Sequence, residues 1–89
     1  MKQPFKDKAL LQLKKANGTL QKVIKMIEED VYCIDILQQG MAAAGLMKSA
    51  NKTVMENHLN SCFQAGIESR SPKKQKEMID EIVKVINKN

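Results

Sequence analysis

The chain has 89 residues, 15 Lys+Arg against 10 Asp+Glu, a net charge of +5, and only 3% aromatic residues. That length makes one small domain over residues 1–89 with a modest core of its own, so association of copies is expected to help hold it together. The apolar share is Leu, Ile, Val, Met and Ala, which favours packed helices over a sandwich or barrel. MKQPFKDK holds no apolar core of signal-peptide length and no run of about 18 apolar residues follows, so a cytoplasmic protein with no membrane span is expected.

The first predicted helix runs from about residue 5 to 29. Its apolar stripe is Leu13, Leu20, Ile24, Ile27 and Val31, at helical spacing. Asn17-Gly18 is a possible turn signal, but the stripe stays in phase across it, so one helix is preferred. The acidic Glu28–Asp30 suits a helix end, and a break is placed near residues 30–32.

The second predicted helix runs from about Tyr32 to Gly66 with no proline inside it. Gly40 and Gly45 flank Met-Ala-Ala-Ala, a patch of small residues that lets another helix approach closely. Ser71 is a good N-cap and Pro72 a good first residue for a third helix, Pro72 to Asn87, with Ile79, Ile82, Val83 and Ile86 as its stripe. The fold class is therefore all-α, with three helices per chain.

Three residues carry distinctive chemistry. His58 is the sole histidine and precedes Cys62 by four positions, so the pair shares a helical face and can hold one ion. Cys33, the other cysteine, lies 25 residues before His58. On one continuous helix that is about 37 Å at about 1.5 Å per residue, against metal–ligand bonds of about 2.0–2.3 Å. Either the chain folds back near Gly40–Gly45, where the sequence offers no turn residues, or a second copy lies antiparallel. The second copy is preferred, since two-fold symmetry then creates two identical sites.

Two thiolates and an imidazole form a soft, three-coordinate set that suits Cu(I), whereas Zn(II) normally takes a fourth ligand. The plainer alternative is that His58 is an ordinary half-buried histidine and the cysteines fill the core. One His, two Cys and no clustered acid pair make no catalytic constellation, so an enzyme is not expected. The lysine-rich surface suits nucleic acid or another anionic partner, and equally a solvated face.

MIEEDVYCIDILQQ (26–39) and NHLNSCF (57–63), with the looser MIDEIVKVI (78–86), resemble the copper-sensitive operon repressor family of small helical bacterial metal sensors. The resemblance implies an antiparallel four-helix-bundle homodimer, often paired into a homotetramer. It implies one Cu(I) per protomer, held by Cys33 of one chain with His58 and Cys62 of the other. Tyr32 and Glu81 match positions that support the histidine. It also implies that the apo-protein represses by binding operator DNA and releases it on metallation. Lys14, Lys15, Lys48 and Lys52 are the candidates for phosphate contact.

The sequence departs from the family pattern where basic residues are expected in the first and second helices. Gln12 and Ser49 stand there, and the turn Asn17-Gly18-Thr19 lacks the usual glutamine. Two further functions therefore stay open. One is a persulfide or redox sensor in which Cys33 and Cys62 bridge protomers, and the other is a metal-buffering helical oligomer that does not bind DNA.

Overall fold

The computed structural model describes residues 1–87, apart from the side chains of Cys62 and Phe63. Helix α1 is Phe5–Glu28 and α2 is Cys33–His58. A π-helical turn, Leu59–Phe63, continues α2 directly into α3, Gln64–Glu68, and α4 is Pro72–Asn87. Uninterrupted helical runs thus number three among the described residues, with no strand, as the sequence predicts. The chain divides into two compact units, Met1–Met55 and Glu56–Asn89.

The first unit is a helical hairpin. Helix α1 passes through Asn17-Gly18 without a break. It ends where Asp30 adopts a left-handed conformation at φ 56°. There the Asp30 N–H donates to the Ile27 carbonyl at 3.1 Å and the Val31 N–H to the Met26 carbonyl at 3.0 Å. This paired closure satisfies carbonyls that the helix would otherwise leave open, and aspartate tolerates the left-handed region better than most residues. The Tyr32 carbonyl then opens α2 by accepting from the Asp35 and Ile36 N–H groups.

The hairpin seam lies off most of the apolar stripe of α1. The α1 positions withdrawn from solvent are Phe5, Ala9, Gln12, Ala16, Thr19, Val23 and Met26. Their alternating three- and four-residue steps are the repeat of helices packing side by side. The facing helix contributes Ile36, Ala43, Leu46, Ala50 and Thr53 at the same repeat. Ala16 and Ala50 are each 1% exposed, whereas Ile24 is 59% and Ile27 57% exposed. Leu13 and Leu20 are also on the surface of the single chain. Small side chains fill the intrachain seam because they let two helices approach closely, and the large apolar residues are left facing outward.

One polar contact ties the two helices. Thr53 Oγ1 donates to Gln12 Oε1 at 2.8 Å and also stands 3.1 Å from the Ser49 carbonyl. A pairing of residues near the start of α1 and the end of α2 requires an antiparallel hairpin. Gln12, noted in the sequence as a replacement for a basic residue, therefore serves the seam.

The second unit closes on Gly66. A Cβ on this buried glycine would lie 2.8 Å from Met78 Cγ, so α3 and α4 pack together through the missing side chain. Gln75 Nε2 donates to the Ile67 carbonyl at 2.8 Å. Arg70 takes a left-handed turn at φ 58°, and Ser69 Oγ donates to the Gly66 carbonyl at 2.5 Å. Ser71 caps α4 as expected, its Oγ accepting from the Lys74 N–H at 3.3 Å. Of the expected α4 stripe, Ile82 is half-buried, and Ile79, Val83 and Ile86 are exposed.

Candidate metal centre and basic face

Cys33 is a free, exposed thiol at the first residue of α2. His58, half-buried, is the last residue of the same helix. The two residues therefore stand at opposite ends of one helix, without the fold-back weighed in the sequence. Among the described residues of one chain, no three His, Cys, Asp or Glu side chains gather closely enough to hold a metal.

Cys62 belongs to the π turn, and its side chain lies outside the described residues. The turn is a feature that sequence periodicity does not predict. Asn60 Nδ2 donates to the Glu56 carbonyl and Ser61 Oγ to the Asn57 carbonyl, each at 2.7 Å. Side chains that bond back four residues compete with the regular ladder and bend helices. The donor chemistry of the set, two sulfurs and one imidazole, fits Cu(I).

Tyr32 is exposed in the short connection before α2, next to Cys33. Glu81 is exposed on α4, where it shares a shallow groove with Glu77, Asp80 and Lys84. Lys14 and Lys15 on α1, and Lys48 and Lys52 on α2, are all exposed. All four belong to the hairpin unit, and the antiparallel Gln12–Thr53 pairing sets Lys14 and Lys15 near the level of Lys52. Ser49 is exposed as well, and its carbonyl is the second acceptor facing Thr53. Among the described residues no helix is long and apolar enough to cross a membrane.

The sequence matches a family model described as metal-sensitive transcriptional repressor, over residues 5–88. It is 37% identical over 78 residues to the copper-sensing transcriptional repressor CsoR of Mycobacterium ulcerans, covering 86% of this chain and 67% of that protein. It is 31% identical over 67 residues to the copper-sensing transcriptional repressor RicR of Mycobacterium tuberculosis, covering 75% of this chain and 70% of the relative. With CsoR of Bacillus subtilis it is 34% identical over 64 residues, covering 72% and 63%. The chain spans about half the length, 52%, of CsoR from Mycobacterium tuberculosis. With a family model matched along nearly its whole length, the chain belongs to the metal-sensitive transcriptional repressors.

Proposed function

We propose that this protein is a Cu(I)-responsive transcriptional repressor whose apo form binds operator DNA and whose metallated form releases it. The observation that carries this reading is the family match over residues 5–88 together with Cys33, His58 and Cys62 in the sequence. Relatives named as copper-sensing repressors support copper as the metal. A cytoplasmic protein of one functional domain, acting as a homodimer and further as a homotetramer, follows from the same reading.

Cys33 of one protomer and His58 with Cys62 of the partner subunit would hold the ion, one per protomer. Cu(I) would supply a soft acid that ties the two subunits together through sulfur and nitrogen. The exposed apolar faces of α1 and α2, with Ile24, Ile27, Leu37 and Met41 on the surface of the single chain, supply material for the contact between copies. Cys33 and Cys62 would hold the ion as thiolates, so binding would release protons. Tyr32 and Glu81 would orient His58 from outside the ligand set, fixing which ring nitrogen is available.

Lys14, Lys15, Lys48 and Lys52 would neutralise phosphates, giving DNA affinity that falls with salt. Release on metallation is then a negative coupling between metal and DNA, typically about 1–3 kcal/mol. The test is to titrate Cu(I) into the protein bound to the promoter of its own operon. Copper should release the DNA from wild type, and Cys33→Ala should bind the DNA but not let go. Release by inorganic polysulfide that survives in His58→Ala, with cross-linking of protomers as Cys33 and Cys62 take sulfane sulfur from the polysulfide and expel hydrosulfide, would favour the persulfide sensor, a reading to which the exposed Cys33 thiol lends weight. Copper binding without any salt-sensitive DNA binding would leave a metal buffer.

A further inference from the structure

We propose that Asn60 and Ser61 are positioning residues, holding Leu59–Phe63 in its π register and thereby setting where the Cys62 backbone stands relative to His58. This rests on the reading that His58 and Cys62 bind Cu(I) together. Three observations converge on it. The π turn begins at the residue after His58 and contains Cys62, so the departure from α geometry falls between the two expected ligands. Two adjacent side chains in that turn bond back to the carbonyls of Glu56 and Asn57, just before His58. Both bonds are 2.7 Å, shorter than the 3.1 Å back-bonds of Thr19 and Thr53 within the regular helices.

The physical consequence is one of register. In an α-helix the fourth residue on overshoots a full turn, because a turn takes about 3.6 residues. A π turn accommodates one more residue, and its N–H groups reach back five positions instead of four. The backbone of Cys62 is therefore rotated back from its α-helical place about the axis that His58 shares. Isolated π turns are rare and lose ladder regularity, so they persist where other bonds offset that loss. Asn60 and Ser61 supply such bonds, and neither residue is itself a ligand.

The test uses the full-length protein and the double variant Asn60→Ala/Ser61→Ala. In the metal-free state, amide-proton NMR reads whether the five-residue spacing across the turn survives. Competition with a Cu(I) chelator then reads affinity. The expected result is loss of the five-residue pattern and Cu(I) binding weakened by about tenfold to hundredfold, the range seen when groups that orient metal ligands are removed. Ser61→Ala alone should give a smaller loss. Ser61→Thr, which keeps the hydroxyl, should restore both the pattern and the affinity. A double variant that keeps the π pattern overturns the proposal. So does one that loses the pattern but binds Cu(I) as tightly as wild type, even if it melts at a lower temperature. A wild-type protein that cannot compete for Cu(I) would instead overturn the copper reading and this proposal with it, while the NMR pattern would still report the turn.

Discussion

The hairpin of Met1–Met55 and the segment from Glu56 onward solve the same packing problem with different materials. The hairpin meets along alanines, with Ala16 and Ala50 withdrawn from solvent and one Thr53–Gln12 bond across the seam. The later segment relies on short helices, a glycine set against Met78, and side chains bonded to backbone at Ser69, Gln75, Asn60 and Ser61. A seam of small side chains has no room to adjust, whereas a flexible methionine can yield. The difference teaches that added volume is expected to be tolerated less in the hairpin than in the segment that carries His58 and Cys62.

Substitutions can break or sharpen that contrast. The largest effect is expected from Ala50→Leu, which forces a large side chain into a filled seam and should destabilise the fold by about 1–3 kcal/mol in chemical denaturation. Ile24→Glu should leave helicity intact and shift sedimentation toward smaller species, since Ile24 is on the outer face. Thr53→Val removes the donor to Gln12 Oε1 and should lose about 1–2 kcal/mol, with a double-mutant cycle to Gln12→Leu recovering part of it. Arg70→Gly should gain about 1 kcal/mol in thermal unfolding, because glycine accepts the left-handed φ of 58° without the side-chain penalty. Gly66→Ala should destabilise by up to about 1 kcal/mol, since a Cβ there meets Met78 Cγ at 2.8 Å and forces the whole side chain to move, a cost that better helix propensity offsets only in part. If Gly66→Ala proved as damaging as Ala50→Leu, the contrast between the two units would collapse.

Much of this architecture was legible in the sequence, for identifiable reasons. Ser71-Pro72 announced α4 because a cap followed by a ring-locked φ has few other uses, and the helix starts at Pro72. Helix α1 crossed Asn17-Gly18 because a helix tolerates a glycine at a cost of about 1 kcal/mol. The seam was not legible because Leu13, Leu20, Ile24 and Ile27 dominate the hydropathy pattern, while alanines contribute little to it. The strongest stripe faces outward in the single chain. The π turn was invisible because Asn60 and Ser61 are ordinary helix-surface residues until their side chains turn back to the carbonyls of Glu56 and Asn57. The proposed ligand residues stand out by the rarity of His and Cys and by the four-residue step between His58 and Cys62. The length of α2 agrees with the separation inferred for Cys33 and His58.

The most direct measurement mixes two crippled chains. Cys33→Ala and His58→Ala/Cys62→Ala carry different affinity tags, and the mixed dimer is purified and titrated with Cu(I) against a chelator. Each variant alone should bind weakly, and the mixed dimer should recover a single tight site, because the cysteine of one chain completes the histidine and cysteine of the other. Mixed dimers that bind no better than their parents, or a Cys33→Ala protein that still binds Cu(I) tightly by itself, would contradict a site shared between subunits.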